Sequence, residues 1–173
     1  NSRQTAERNK MSKNGKILMV MPVMKGGGAE RVASLLLNEF NRNGYDCEFL
    51  LTSSKTEDTI NRDLNHDIQI TSVYGNKNGL VFKALEFISS LLCKPFELLN
   101  HAVPSVFAYL SFFSQYHLEI KRLREKLKKE PETKVISFLQ PSVPITLIAT
   151  KRLPNRVVIS ERGDPKRLLK KRY

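Results

Sequence analysis

Three consecutive glycines, Gly26, Gly27 and Gly28, stand between a short apolar run and a stretch with helical spacing. Glycines lose much backbone freedom on folding, so a run of them is typical of places where φ must be positive or where something approaches the main chain closely. The start of a helix adds free N–H groups and the positive end of the helix dipole. The pattern therefore predicts an anion site with a phosphate as its ligand, and a tight turn without a ligand is the alternative.

The residues around the glycines predict a strand, a loop and a helix. Residues 17–21 are an uninterrupted apolar run of strand length, which is typical of a strand covered on both faces. From Ala29 onward the apolar residues follow helical spacing, and the predicted inward stripe is Ala29, Val32, Ala33, Leu36, Leu37 and Phe40. Gly44 is expected to end this helix in the left-handed conformation.

Four further runs predict strands at residues 47–51, 68–73, 135–138 and 157–160, with helical stretches between them. Strands that alternate with helices favour right-handed parallel crossovers. The predicted fold class is α/β, a Rossmann-like, doubly wound and mostly parallel sheet with helices on both faces. The strand of residues 135–138 is expected beside that of residues 17–21.

Sheets of this class bind ligands beyond the carboxyl ends of their strands. In this sequence those ends are the loops at residues 24–28, 52–55, 74–75, 140–142 and 160–164. The dinucleotide fingerprint is only partly present, because Arg31 stands where the third glycine or alanine belongs. No Lys-Ser or Lys-Thr pair follows the glycines, so a dehydrogenase and a P-loop enzyme are both disfavoured.

The composition indicates one ordinary soluble domain, since 173 residues with 40% hydrophobic content can bury a substantial core. Residues 1–15 are polar, so we expect a disordered leader there and the folded domain at residues 16–173. Cys47 and Cys93 are expected to be buried free thiols, which favours a reducing, cytoplasmic compartment. The 3 histidines are scattered, so no metal is expected.

A long helical region follows, and its segment at residues 98–118 carries no formal charge. Polar residues dilute the segment, and its dense part, residues 102–113, is too short to span a bilayer. Two interpretations remain open: a pair of buried helices, or an apolar surface that dips into a membrane or holds a lipid-linked substrate. Pro104 predicts a helix start or break, and a later inward stripe consists of Tyr116, Ile120, Leu123 and Leu127.

The net charge of +12 suggests a second class of function. Basic residues dominate two segments, residues 121–134 and residues 151–173. Such patches attract polyanions, so a basic α/β nucleic-acid-binding module is the alternative. No recognition-helix motif and no aromatic residues interleaved with the basic runs support that class. An anionic membrane surface, or plain solvation, explains the same charge.

Two stretches carry a resemblance to a known family. The first is residues 16–52, KILMVMPVMKGGGAERVASLLLNEFNRNGYDCEFLLT, and the second is residues 158–167, VISERGDPKR. Both are similar to the N-terminal domain of GT-B fold glycosyltransferases, most of all to family 4, the retaining enzymes that use nucleotide sugars to make cell-surface polysaccharides and glycolipids. The resemblance implies one half of a GT-B fold and covers the whole domain in order.

The resemblance also implies roles for particular residues. In such enzymes this domain binds the acceptor, while the glycine loop, here Gly26, Gly27 and Gly28, reaches the donor diphosphate. The acceptor-side residues implied in the later loops are Gln140, Ser142, Glu161 and Arg162. The Arg162 guanidinium could bind an anionic acceptor or a phosphate, or pair with a neighbouring carboxylate. Many relatives place a histidine in the fifth-strand loop; this chain has none there, so no catalytic residue is assigned.

The activity that follows from the resemblance is transfer of a sugar from a nucleotide-diphosphate sugar, expected to be a UDP-sugar, to a glycan or lipid-linked acceptor. The chain ends at Tyr173 without the second, donor-binding domain, so the fragment alone is expected to be inactive. We expect no cofactor and no nucleic-acid partner. The expected location is cytoplasmic and peripheral, on the inner face of the membrane.

Overall fold

The computed structural model describes residues 14–23, 27–52, 64–74 and 104–160. Its strands are β1 (Lys16–Met21), β2 (Asp46–Leu51), β3 (Gln69–Ser72), β4 (Lys134–Phe138) and β5 (Val157–Ser160). Its helices are α1 (Gly28–Arg42), α2 (Pro104–Lys129) and α3 (Ser142–Thr150). Each of the five predicted strands is therefore present, close to its predicted bounds.

In the described part of the chain, the strands form one parallel sheet in the order β3-β2-β1-β4-β5. Met19 of β1 lies opposite Phe49 of β2 on one side and Ile136 of β4 on the other. This confirms the predicted α/β class and the position of β4 beside β1. The strand order changes direction between β1 and β4, so the loops that follow these two strands leave toward opposite faces.

Two hydrophobic clusters cover the two faces of the sheet. The cluster on the α1 side includes Met19, Phe49 and Leu37. The cluster beneath α2 and α3 includes Val20 and Ile145. Neighbouring residues of β1 thus point into opposite clusters, which explains why its sequence is apolar throughout rather than alternating. The prediction of helices on both faces is confirmed.

Helix α1 ends as predicted. Gly44 has a φ of 80°. Its N–H donates to the carbonyl of Asn41 at 3.0 Å, and the N–H of Tyr45 donates to the carbonyl of Phe40 at 3.1 Å. These two bonds form a Schellman motif, which satisfies carbonyls that the last turn of a helix leaves open.

The buried face of α1 differs from the predicted stripe. Leu36 was expected to point inward, but it is 39% exposed, whereas Glu30, Ser34 and Asn38 are buried. The face is rotated because the chain that leads into β3 packs beside the helix: the N–H of Asn65 donates to Oδ1 of Asn38 at 2.8 Å. A contact between segments so far apart in sequence is invisible to helical periodicity.

Helix α2 is continuous from Pro104 to Lys129 within the described residues. Residues 101–103 lie outside them, so the helix start or break at Pro104 stays a prediction. Ile120, Leu123 and Leu127 are buried and Tyr116 packs beside them, so the predicted inward stripe is confirmed. Phe113 is 43% exposed. Among the described residues, no helix has the length and apolar character needed to cross a membrane. Residues 98–103 of the uncharged segment lie outside the described part.

Cys47 is a buried free thiol, as predicted. Burial, and after it the charge of Asp46, raises the pKa of this thiol to about 12. Since the thiolate is the reactive form of cysteine, the side chain is inert at neutral pH. Cys93 lies outside the described residues.

The last residues of the expected leader contact the folded domain. The side-chain amide of Asn14 donates to the carbonyl of Asn43 at 2.7 Å. The N–H of Asp46 donates to the carbonyl of Gly15 at 3.1 Å. These bonds tie the entry of β1 to the turn between α1 and β2. Residues 1–13 lie outside the described part of the chain.

Candidate anion-binding site at the carboxyl edge of the sheet

The loops after β1 and β4 diverge where the strand order changes direction, and sheets of this class bind ligands in the crevice between such loops. Two contacts of Thr52 lie beneath this crevice. The N–H of Thr52 donates to the carbonyl of Met21 at 2.8 Å. The hydroxyl oxygen of Thr52 lies 3.1 Å from that of Ser142. The second contact joins β2 to α3 across the end of β1, so three of the predicted strand ends meet at one edge.

Gly27 and Gly28 stand on one side of this crevice. Gly27 is the N-cap of α1, with φ −78° and ψ 171°, and Gly28 is the first helical residue. Neither has a positive φ, a conformation that the described glycines adopt only at Gly15 and Gly44. Among the described residues, no atom would lie within 4 Å of a Cβ on Gly28. Within the described residues, neither backbone conformation nor packing requires glycine at position 28, which is consistent with the predicted close approach of a ligand.

The first turn of α1 has backbone N–H groups for which the described part of the chain provides no acceptor. The earliest helical bond runs from the N–H of Arg31 to the carbonyl of Gly27 at 3.1 Å. The N–H groups of Gly28, Ala29 and Glu30 precede it, and helical geometry gives them no acceptor. Gly27 has no side chain to cap them. These donors lie at the positive end of a 15-residue helix, where the sequence predicts an anion site.

Glu30 belongs to this site, although the sequence analysis did not single it out. It is the acidic residue of the first turn and is only 8% exposed. A Cβ on Gly27 would overlap its carboxylate, so the side chain folds back over the N-cap. The signal that could have revealed it is its spacing, because the third helical position is where a capping-box glutamate stands.

The start of α3, on the other side of the crevice, has fewer free N–H groups than that of α1. The N–H of Val143 donates to the carbonyl of Leu139 at 3.1 Å, and that of Ile145 donates to the carbonyl of Pro141 at 3.3 Å. Pro144 has no N–H to offer. Of the two helix starts at this edge, that of α1 therefore offers more backbone donors to a phosphate.

The two predicted acceptor-side residues after β4 occupy different environments. Gln140 is exposed, so its amide is open to a ligand. Ser142 is fully buried, and its hydroxyl pairs with Thr52 beneath the crevice. The serine thus fixes the loop from below, whereas the glutamine lies at the surface.

Leu139 directs the chain between β4 and Gln140. Its φ is 63°, in the left-handed region that a branched residue seldom adopts. Such a conformation costs on the order of 1 kcal/mol for a residue with a Cβ. The side chain packs against the cluster on the α1 side, and this contact holds the unusual backbone in place.

Three predicted site residues, Gly26, Glu161 and Arg162, lie outside the described residues. The structure thus brings Gly27, Gly28 and Gln140 to one edge of the sheet. The loop after β5 lies outside the described residues from residue 161 onward. In the described ranges, no three His, Cys, Asp or Glu side chains are grouped in a way that could hold a metal ion.

Most basic residues of the 121–134 segment are engaged within the protein. Arg122 donates to the carbonyl of Val73, and Arg124 donates to the carbonyls of Ala149 and Lys151. The other engaged cations are Lys126, which pairs with Glu48, and Lys134, which lies over the ring of Tyr45. The exposed basic side chains of the segment are Lys121, Lys128 and Lys129.

Comparison with known proteins finds no family model that matches the chain and no curated protein that matches its sequence.

Proposed function

We propose that this chain is the N-terminal, acceptor-side domain of a retaining glycosyltransferase with a GT-B fold. Together with a donor-binding domain, it transfers a sugar from a nucleotide-diphosphate sugar, such as a UDP-sugar, to a glycan or lipid-linked acceptor in cell-surface polysaccharide synthesis. The observation that carries the proposal is the helix start at Gly28, where neither φ nor the packing of the described residues requires glycine. The resemblance of residues 16–52 to such enzymes supports the class.

The backbone donors at the start of α1 suit a reaction in which a nucleoside diphosphate is the leaving group. Cleavage of the bond between sugar and diphosphate leaves negative charge on a phosphate oxygen. The free N–H groups of Gly28 and Ala29 stabilise that charge without having to reorganise, because the helix already holds them in place. A side chain at position 28 would hold the phosphate away from them. On the other side of the crevice, the Gln140 amide can both donate to and accept from acceptor hydroxyls.

The proposed partners include an anionic membrane surface, since lipid-linked acceptors lie in membranes. Exposed Lys121, Lys128 and Lys129 on α2 support this partner, together with the exposed ring of Phe113. A nucleic-acid-binding module is the weaker alternative, because the engaged arginines and lysines of the same segment do not contribute to an open basic patch.

The test compares glycine, alanine and valine at position 28. Calorimetric titration of the chain with UDP and with pyrophosphate is expected to give progressively weaker binding for Gly28→Ala and Gly28→Val. In a two-domain protein that contains this chain, sugar transfer from UDP-sugars is expected to fall in the same order. The reason is steric: each added methyl group occupies the space in which the phosphate oxygens reach the N–H groups.

Thermal unfolding provides the control for this series. A Cβ at position 28 meets no atom of the described residues within 4 Å, so both variants are expected to fold at least as stably as the original protein. If the folded valine variant bound UDP and transferred sugar as well as the glycine form, the loop would be only structural and the proposal would be wrong.

A further inference from the structure

Two asparagines that precede glycines meet at the turn between α1 and β2. Asn43 is followed by Gly44, and Asn14 is followed by Gly15. The side-chain amide of Asn14 donates to the carbonyl of Asn43 at 2.7 Å, and both asparagines are exposed. When glycine follows asparagine, the backbone nitrogen attacks the side-chain amide readily, because glycine has no Cβ to hinder the approach. The turn therefore contains the residues for a spontaneous modification, deamidation.

At Asn43 the reaction begins when the backbone nitrogen of Gly44 forms a bond to Cγ of the asparagine. The bond from Cγ to Nδ2 breaks, the Gly44 nitrogen gives up its proton, and Nδ2 leaves as ammonia. Water then opens the resulting five-membered imide at either of its two carbonyls. The products are aspartate, and isoaspartate, whose main chain runs through Cβ. Water is the only co-reactant, so the reaction requires neither an enzyme nor a cofactor.

The closed turn prevents this attack in three ways. The ψ of Asn43 is 14°, which places the Gly44 nitrogen on the far side of the Cα–C bond from Cβ and Cγ. The N–H of Gly44 donates to the carbonyl of Asn41 at 3.0 Å. The amide nitrogen of Asn43 donates to the carbonyl of Glu39 at 2.7 Å and to its Oε1 at 3.0 Å. Ring closure therefore requires the turn to open first.

The products cannot restore the closed turn. In aspartate, an oxygen replaces Nδ2 and faces two acceptors of Glu39, so two hydrogen bonds become repulsive contacts. In isoaspartate, the extra main-chain carbon displaces the Asn43 carbonyl that accepts from Asn14. Either product therefore weakens the link between the end of α1 and the entry of β1.

From this geometry we propose that Asn43 is a protected deamidation site, which reacts when the turn between α1 and β2 opens and whose products keep the turn open. Helix ends open locally more easily than the core of a sheet. The Schellman bonds, the bond from Asn14 and the edge-to-face contact of the Phe40 and Tyr45 rings at 5.8 Å hold this turn closed. Modification of Asn43 thus makes the opening irreversible.

The test follows deamidation of the 173-residue chain at neutral pH by peptide mapping with mass spectrometry, which separates aspartate from isoaspartate. In guanidinium chloride, where the turn is absent, Asn43 is expected to react fast. In the folded protein it is expected to react about tenfold more slowly, because only the open turn reacts. Asn41 precedes the bulky Arg42, so it is the internal control and should hardly react in either state.

Asn14→Ala tests whether the turn controls the reaction. The variant removes one bond that closes the turn and leaves Asn43 and Gly44 unchanged. Deamidation of Asn43 in the folded variant is therefore expected to be several-fold faster than in the original protein.

Asn43→Asp reproduces one of the products directly. It is expected to lower the midpoint of thermal unfolding by about 3 °C, from the loss of the two hydrogen bonds to Glu39. Asn41→Asp is the matched control, since it adds the same charge at the same helix end. It is expected to lower the midpoint less.

Four results would overturn the inference. Equal rates at Asn43 in the folded and the denatured chain would show that the turn does not protect it. A folded protein that stays unmodified after prolonged incubation would show that the site does not react, and an Asn14→Ala variant that reacts no faster would show that this turn does not control the rate. If Asn43→Asp is as stable as Asn41→Asp, the product does not keep the turn open.

Discussion

At the scale of single residues, the two ends of α1 allow one substitution to be tested in opposite contexts. Gly28 has a negative φ and open space around its missing Cβ, whereas Gly44 has a φ of 80°. Gly28→Ala is expected to raise the free energy of unfolding by about 0.5 kcal/mol, because alanine loses less backbone freedom on folding. Gly44→Ala is expected to lower it by about 1 kcal/mol, because a Cβ disfavours the left-handed conformation. Urea unfolding of both variants provides the measurement.

Sterics do not complicate this comparison, since the nearest atom to a Cβ on Gly44 lies at an ordinary 3.8 Å. Equal effects of the two substitutions on the free energy of unfolding would contradict the assignment of different backbone roles.

These glycines also show how much of a glycine's role can be predicted from sequence. Gly44 follows the polar end of a helix, so its left-handed role was predictable. For Gly27 and Gly28 the sequence left two explanations open, and only the backbone angles exclude the positive-φ one.

At the scale of elements, a buried ion network joins β1, β2 and α2. The Glu48 carboxylate lies 3.0 Å from the Lys16 ammonium and 2.9 Å from that of Lys126. Thr71 on β3 donates its hydroxyl to the same carboxylate at 2.7 Å. Both lysines also pair with Glu130, just beyond the end of α2. The network thus fixes α2 over the neighbouring strands through charge as well as apolar contact.

Glu48→Gln is expected to lower the free energy of unfolding by about 2 to 3 kcal/mol, because it leaves two partly buried lysines short of a carboxylate. Burial alone would raise the pKa of Glu48, but Lys126 and Lys16 outweigh it and hold the pKa below its ordinary value of 4.5. The folded state therefore binds fewer protons than the unfolded chain. The stabilisation is present above pH 4.5 and is lost as the pH falls below it.

Urea unfolding between neutral and acidic pH measures both effects. The original protein should lose stability as the pH falls below 4.5, and the Glu48→Gln variant should lose less over the same range. Glu125→Gln, at an exposed position of α2, is the control and should behave like the original protein. A Glu48 variant with an unchanged pH dependence would show that the network does not stabilise the fold.

The elements were predictable from sequence and their partners were not. Continuous apolar runs place β1 and β4 in the middle of a sheet, because only strands covered on both faces have such sequences. The burial of Glu48 and the exposure of Leu36 depend on segments distant in sequence, namely α2 and the chain near Asn65. Periodicity within one element contains no information about such neighbours. The same limit applies to Ser142, whose buried partner Thr52 lies 90 residues away.

At the scale of the whole molecule, the net charge of +12 overstates how much basic surface is open. Sequence analysis treats each lysine and arginine as a surface charge. In the structure, Arg122 and Arg124 bind carbonyls at the ends of other elements, and Lys126 neutralises Glu48. The exposed remainder of this segment is Lys121, Lys128 and Lys129 on α2. Membrane binding, if it depends on this helix, should depend on those three residues.

The last prediction therefore concerns vesicles that contain anionic lipid. The chain is expected to bind them, and binding should weaken with salt, because exposed charges are screened over about 10 Å at 0.1 M ionic strength. Replacing Lys121, Lys128 and Lys129 together by alanine is expected to weaken binding at least tenfold, since each basic residue near such a surface contributes about 1 kcal/mol. Vesicle sedimentation over a series of lipid concentrations measures the change.

The control triple replaces three exposed basic residues elsewhere, Arg42, Lys151 and Arg156, by alanine, so the loss of net charge is the same. If binding depends on the α2 surface, this triple should weaken it much less than the first. Equal losses would mean that net charge alone attracts the protein and that α2 is not the binding surface. DNA retention on filters provides the other comparison. Tight DNA binding at physiological salt without vesicle binding would favour the nucleic-acid module over the glycosyltransferase domain, because phosphate contacts that survive such screening must be numerous.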